Sequence, residues 1–288
     1  MKIVYLYPIS SIEQFDYYCN YSKISENKED HLLCVYRERY LEIEHFSKTG
    51  NCAFINDNFE ITNIDFTPFE NLDSVIMFPR MDILFYHKFL KSEVKNRIRS
   101  ITGGKVSYEI ISRWYMQIAI KYLRRKINRY NVEYAESHFT EIVNGLVDSE
   151  NRFFMKSVEK HWSFAGSIKE AYETGSIFAL SCGGGECLFS EFLEIKTDRL
   201  GKLEFRCYFI NGKLCSISRY LDYEEHTIPV YIQDFAYNLQ KEGFNMPKTI
   251  VIDIADTNKG IVIIECNEAS CSGRYINNKL DTFPLETK

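Results

Sequence analysis

Thr249-Ile250-Val251-Ile252-Asp253-Ile254-Ala255, then Asp256-Thr257-Asn258-Lys259-Gly260, then Ile261-Val262-Ile263-Ile264-Glu265-Cys266-Asn267 is the stretch that decides the fold. Two runs rich in β-branched residues flank a polar turn ending in Gly, the pattern of a β-hairpin. A five-residue loop over 256–260 predicts that Ala255 faces Ile261. Side chains alternate along a strand, so the even positions Ile250, Ile252, Ile254, Val262, Ile264 and Cys266 form one apolar face. Asp253, Glu265 and Asn267 fall together on the other. Strands this rich in Ile are central and buried, and polar groups there are costly unless satisfied. A divalent cation held by carboxylate and amide oxygens would satisfy them; a salt-bridged or hydrogen-bonded polar cluster would do so too. A loop one residue shorter or longer breaks the alignment.

A second hairpin lies upstream. Lys202 to Tyr220 carries Asn211-Gly212 between two alternating runs, the strongest short-range hairpin signal. A two-residue loop pairs Ile210 with Lys213, Glu204 with Arg219 and Arg206 with Ile217. Glu204, Arg206, Tyr208 and Arg219 are then expected on one face, and Leu203, Phe205, Cys207, Phe209 and Leu214 on the other. Taken alone, the polar face is a surface Glu–Arg pair worth roughly a few tenths of a kcal/mol. Beside the acidic face of the last hairpin it becomes part of a site.

The remaining chain divides by pattern. Over roughly the first 85 residues, Ile3 to Leu6, Leu32 to Tyr36, Cys52 to Ile55 and Val75 to Phe78 read as strands, with helical stretches near Ser11–Tyr18 and Glu42–Phe46. This predicts a small α/β module. Met81 to Leu90 and Lys91–Arg99 look helical, and Tyr108 to Arg129 more so, because Ile111, Trp114, Tyr115, Ile118 and Tyr122 share a helical face. Lys121, Arg124, Arg125, Lys126 and Arg129 load its end. They are either dipole complements on a solvated face or a patch for phosphate or nucleic acid. Arg152 to Val158 reads as a strand. After it come the small residues Ser163, Ala165 and Gly166, a helix Ser167–Glu173, a strand Ile177–Leu180, the run Gly183-Gly184-Gly185 and a strand Leu188–Leu193. An amphipathic helix carrying Ile228, Ile232, Phe235, Ala236 and Leu239 separates the two hairpins. Hairpins mixed with helices exclude a purely doubly wound parallel sheet in this half and predict an α+β fold.

Composition narrows the function classes. Hydrophobic residues at 45% and charged residues at 26% are ordinary for a globular chain of 288 residues. Only 14 Gly and 6 Pro argue against a disordered or collagenous protein. A net charge of −5 supplies no global basic field for nucleic acid, although a local groove stays open. No apolar run approaches a membrane span, and Met1 to Tyr7 is too short for a secretory signal. Nine cysteines without a C-x-x-C pair, several inside apolar strands, suggest buried thiols in a reducing cytoplasm rather than a zinc site.

Taken in order, a strand lysine, a small-residue loop, an acidic strand, a Glu-x-Arg hairpin, and an Asp followed by Glu-x-Asn resemble the ATP-grasp superfamily, from about Lys105 onward. The most specific piece is Asp253 with Glu265-Cys266-Asn267. The chain is similar to compact bacterial and phage members that combine one lysine with two arginines. The resemblance implies a small α/β domain over 1–100, a lid sub-domain with a helical insert over 101–190 and a magnesium-bearing C-terminal sub-domain over 191–288. It implies that Lys156 contacts the nucleotide phosphates and that the hinge strand with Glu191 and Leu193 meets the adenine. Glu204 would then meet the ribose, Arg206 and Arg219 would grip the triphosphate or acyl phosphate, and Asp253, Glu265 and Asn267 would bind Mg2+. Lys105, in Thr-Gly-Gly-Lys-Val, or Lys160 would be a second phosphate lysine. Gly183–Gly185 lacks P-loop spacing, and is either a turn before the hinge strand or part of the lid. The tail from Glu268 to Tyr275 departs from the family pattern, so substrate choice does not carry over.

What the resemblance implies chemically is an ATP-dependent carboxylate–amine ligase. The partners are ATP, a carboxylate and an amine acceptor, either a small molecule or a peptide or protein terminus. A small-molecule kinase uses the same phosphate machinery, and a non-catalytic nucleotide-binding module is the alternative from another class.

Overall fold

A computed structural model of the protein describes residues 2–12, 31–70, 72, 75–79, 88–89, 91–97, 115–118, 120–158, 162–177, 185–210, 212–220, 226–242, 246–247, 249–267 and 272. By contacts the chain forms two units: 1–105 with 221–227 and 269–288, and 106–220 with 228–268.

In the first unit, β1 (Lys2–Pro8) runs parallel to β2 (Cys52–Ile55) and β4 (Val75–Pro79), and β3 (Ile61–Thr62) closes the edge antiparallel to β2. Alternation sends Val4 and Leu6 to one face, with Ala53, Ile55, Met77 and Phe89. Tyr5 and Tyr7 go to the other, against Ile43 and Phe46 of helix α1 (His31–Lys48). Both faces are covered, as a mostly parallel sheet requires. Leu32–Tyr36, expected as a strand, belongs to α1. The run Leu-Leu-Cys-Val-Tyr is apolar without a period-two alternation, so it joins the helical spacing that continues to Ile43 and Phe46. Of the helix expected over Ser11–Tyr18, residues 13–18 lie outside the described set, as do 81–87 and 98–114 of the later helical stretches. The short helix α2 (Val94–Arg97) lies within the second of these.

The second unit holds two four-stranded antiparallel sheets. One has the order β5 (Ile127–Asn131), β8 (Glu186–Glu191), β6 (Arg152–Ser157), β7 (Ser163–Ser167). Its inner side chains, among them Phe153, Met155 and Phe189, pack on helices α4 (Val132–Ser137), α5 (Phe139–Asn144) and α6 (Ile168–Glu173). Ser167 and Glu170 form a reciprocal capping box at the start of α6. Ser163 to Gly166, expected as a loop, is instead the edge strand β7 paired with β6. Ile177, expected to open a strand, lies in a helical turn, and 178–180 lie outside the described residues.

The helix expected from Tyr108 to Arg129 ends earlier. Of its described residues, 115–117 are helical and α3 (Ile120–Leu123) stops at Arg124, whose φ of 48° is left-handed, and Arg129 is already in β5. The basic run is engaged within the protein. Lys121 pairs with Glu242, Arg129 with Glu186, and Arg124 Nη1 donates to Lys259 O at 2.8 Å.

The other sheet has the order β12 (Lys213–Arg219), β11 (Glu204–Ile210), β13 (Thr249–Thr257), β14 (Gly260–Asn267). A two-stranded ribbon, β9 (Thr197–Asp198) with β10 (Gly201–Lys202), precedes it. Phe205, Cys207, Phe209, Ile250, Ile252, Ile254, Ile263 and Cys266 make the inner face, against Ile232, Ala236 and Leu239 of α7 (Val230–Lys241). Each Phe, Ile or Leu side chain among them contributes roughly 1.5–3 kcal/mol when fully buried.

The last hairpin corrects the expected register. Thr257 pairs with Gly260, so the loop is two residues, not five. Thr257 Oγ1 accepts from Lys259 N at 3.1 Å and donates to Gly260 O at 2.7 Å, which tightens the turn. From there Ala255 faces Val262 and Ile254 faces Ile263. Continued unbroken, that pairing would set Asp253 against Ile264 and turn Glu265 to the opposite face. A bulge between Asp253 and Ile254 restores the parity, and Asp253 faces Glu265. Ile263 therefore replaces Ile264 in the core.

Gly260 has φ 88°, and a Cβ there would run into Arg124 Nη1. Gly260→Ala is expected to lower unfolding free energy by about 1–2 kcal/mol, from left-handed strain alone. Urea unfolding reads this directly; a variant as stable as the parent would show that the turn relaxes freely.

Candidate active site

Register places a row of charges across three strands. Arg206 of β11 faces Asp253 of β13, which faces Glu265 of β14. Because cross-strand partners share a face, all three point away from the Phe205–Ile254–Ile263 row that enters the core. Asn267 stands two residues beyond Glu265 on the same face. Lys156 comes from the other sheet: in β6 the side chains of Phe153, Met155 and Ser157 turn inward, so Lys156 turns outward.

The five side chains form one connected chain. Arg206 Nε donates to Asp253 Oδ1 and its Nη2 to Oδ2, both at 2.9 Å. Asn267 Nδ2 donates to Asp253 Oδ2 at 2.9 Å and to Glu265 Oε2 at 3.3 Å. Lys156 Nζ donates to Glu265 Oε1 at 3.1 Å. Two cations thus balance two anions. Burial opposes the charge on Lys156, but Glu265 overrides it and holds the ammonium above its ordinary value. Asp253 is 1% exposed and Glu265 retains 30% of its side-chain surface, so Glu265 is the oxygen donor open to an incoming group. Arg206 also lies over the Tyr220 ring at 4.8 Å.

Glu204 begins β11 on the same face, opposite Ala255. Desolvation, with Asp253 and Glu265 adding to it against Arg206 and Lys202, pushes its carboxyl up to about 8. Folding therefore favours its protonated form. The stability this gives is complete below the ordinary 4.5 and is lost as pH rises through about 8. Glu204→Gln mimics the protonated acid and is expected to match the parent at pH 5 and exceed it at pH 8.5, in urea midpoints taken without nucleotide. Equal midpoints at both values would mean that the acid is solvated.

Arg219 is not brought to this row. The strand pair β11–β12 carries its own bulge between Tyr208 and Phe209, so Arg219 faces Phe205 rather than Glu204, and Arg206 faces Ser218 rather than Ile217. Arg219 instead donates to both oxygens of Asp198, at 3.0 and 2.6 Å, and to the carbonyls of Gly201 and Lys202. The Arg219 hydrogen bond holds the Asp198 carboxyl below its usual range. Glu191 closes β8, and its carboxylate accepts from Lys259 Nζ at 2.7 Å and Lys126 N at 3.1 Å. Burial opposes its charge, and the Lys259 bond lowers its pKa overall. Leu193 sits in the connector just before Ile195, which bridges to Thr257. Lys105, Lys160 and Gly183–Gly184 lie outside the described residues.

Two contributors were not legible in sequence. Asp198 lies in an ordinary polar turn, and Arg125 is hidden in a basic run that reads as a helix end. Tyr115 belongs to the same neighbourhood: Lys156 Nζ lies 5.9 Å from its ring centre.

Among the described residues no group of three or more His, Cys, Asp or Glu side chains is arranged as a metal centre. Two carboxylates and one amide converge instead, an all-oxygen donor set when Asn267 presents Oδ1, which suits a hard divalent cation. Among the described residues no helix is long and apolar enough to cross a membrane.

The family model described as ATP-grasp domain, R2K clade family 3, matches residues 85–285. A search of curated proteins found no match. Among solved structures, the chain is similar to a RimK domain protein ATP-grasp from Sphaerobacter thermophilus, at 14% identity and TM-score 0.47 over 80% of this chain and 85% of that one. It is similar to the VanG D-Ala:D-Ser ligase of Enterococcus faecalis, at 11% identity and TM-score 0.49 over 94% and 91%. It is also similar to the macrocyclase MdnC of Microcystis aeruginosa, crystallised with its precursor peptide MdnA, at 15% identity and TM-score 0.48 over 95% and 92%.

Proposed function

Because this chain belongs to R2K clade family 3 of the ATP-grasp domains, we propose that it joins a carboxylate to an amine at the expense of ATP, through an acyl phosphate. The observation that supports this is the connected row Lys156–Glu265–Asn267–Asp253–Arg206, in which two cationic and three oxygen-bearing side chains meet at one place. Asp253, Glu265 and Asn267 would hold Mg2+, which when bound neutralises phosphate charge. Lys156 and Arg206 would exchange their carboxylates for phosphate oxygens when nucleotide binds. Glu191 and Leu193 flank the adenine, Glu204 the ribose, and Lys105 or Lys160 supplies a second phosphate contact. Arg219, set on Asp198, steadies the ribbon beside the site.

A carboxylate oxygen attacks the γ-phosphorus and ADP leaves. The amine nitrogen then attacks the acyl carbon, inorganic phosphate departs, and the nitrogen loses a proton to give the amide. Like charges oppose the first step, so the cations lower its barrier by electrostatic preorganisation.

The test uses a carboxylate labelled with 18O. Amine-dependent ADP release with one labelled oxygen passing to phosphate supports the ligase. ADP release with an alcohol alone identifies a kinase, and tight ATP binding without turnover identifies a regulatory module.

A further inference from the structure

We infer that Arg125, with Tyr115, is a positioning residue for the metal-binding hairpin: it holds the bulge in β14 that brings Glu265 and Asn267 level with Asp253. Arg125 Nη1 donates to Ile263 O at 2.8 Å and Nη2 to Ile264 O at 3.0 Å. In a regular strand successive carbonyls point to opposite edges, so one guanidinium cannot hold two neighbours in a row. Here it does, because the ladder shifts between Asp253 and Ile254 and Ile264 is the extra residue. Tyr115 Oη donates to the same Ile264 carbonyl at 2.8 Å and accepts from Arg125 Nη2. A fourth bond joins Arg125 to Leu123 O at 3.3 Å.

Arg125 is 7% exposed, and its bonds to the described residues all go to neutral oxygens. A buried guanidinium without a carboxylate partner is an expensive way to cap an edge strand. Its position explains the cost. The turn fixes odd residues against even ones up to Ile254–Ile263, and only the step at Ile264 sets Asp253 opposite Glu265. Were the bulge to slide toward Asn267, Glu265 would rotate off the face that carries Asp253. Arg124 offers a contrast on the same hairpin, since it clamps the Lys259 carbonyl at the turn, where no register changes.

This inference rests on the proposed metal role of Asp253, Glu265 and Asn267. The test measures Mn2+ affinity by electron paramagnetic resonance with a non-hydrolysable ATP analogue, and analogue affinity without metal, on full-length protein whose fold is checked by circular dichroism. Arg125→Lys is expected to weaken Mn2+ by about tenfold or more, within the range for residues that orient ligands, and Tyr115→Phe to weaken it severalfold. Metal-free nucleotide affinity stays unchanged in both, and Arg124→Lys lowers stability without moving Mn2+ affinity. Deleting Ile264 removes the extra residue while keeping Asp253 opposite Glu265, so in that background Arg125→Lys costs no Mn2+ affinity. Equal Mn2+ binding by the parent, Arg125→Lys and Tyr115→Phe overturns this inference alone. Failure of the parent to bind Mn2+ with nucleotide sinks the site assignment as well.

Discussion

Glu265→Gln is expected to cut magnesium-dependent ADP release by about 10²–10³-fold, the scale of losing one charge-stabilising group in a phosphoryl-transfer site. The substitution keeps the shape of the side chain and an oxygen for the Asn267 amide, so the fold should persist. It removes the anion that faces Asp253 across the ladder and that holds Lys156 charged. Raising magnesium should recover part of the rate, because the loss lies in metal affinity as well as in turnover. The measurement is a magnesium titration of ADP release beside a melting curve. Unchanged turnover in a folded variant would remove Glu265 from the ligand set and leave the row of charges a structural cluster.

Arg206→Met is expected to cost about 3–5 kcal/mol of folding free energy, because it leaves the Asp253 carboxylate buried without its cation. That is a large part of the 5–15 kcal/mol typical of a native protein. Asp253 is 1% exposed and takes both Nε and Nη2 of Arg206, so little solvent can replace the guanidinium. Asp253→Leu in the Arg206→Met background is expected to recover much of the loss, since replacing both members of a buried pair by apolar groups is far less costly than removing one. Urea unfolding of the two single variants and the double variant closes the cycle. If Arg206→Met costs under about 1 kcal/mol, the pair is solvated and this account of the site floor is wrong.

Much of the site was visible in one dimension because period-two alternation is a strict rule within a strand. Asp253 was separated from the Ile face by parity alone, and Arg206 from Phe205 and Cys207 in the same way. The expected five-residue loop misplaced every pair near the turn, yet the trio survived, because the true two-residue loop and the bulge at Ile264 shift parity in compensating senses. Arg219 had no such compensation. Its bulge comes between the Asn211–Gly212 turn and the arginine, so the parity that held at Ile210–Lys213 no longer held at Arg219. Bulges leave no distinct trace in apolar alternation, since an extra Ile or Cys looks like any other strand residue. Helix ends were harder for a related reason. Nothing in Leu123-Arg124-Arg125-Lys126 announces a left-handed residue, and arginines are good helix formers, so the helix was expected to run through to Arg129.

Local order determined which residues could be strands, which faces they offered and which family the chain resembles, because those follow from side-chain spacing and residue chemistry. Only the tertiary structure decided the partners: Lys156 on Glu265 from another sheet, Arg219 on Asp198, and Arg125 beneath the bulge. Those contacts join residues 109, 21 and 138 positions apart. The physical reason is that a buried charge must find a counter-charge or a carbonyl wherever packing places one, and that meeting is set by how sheets stack rather than by the order of residues along the chain.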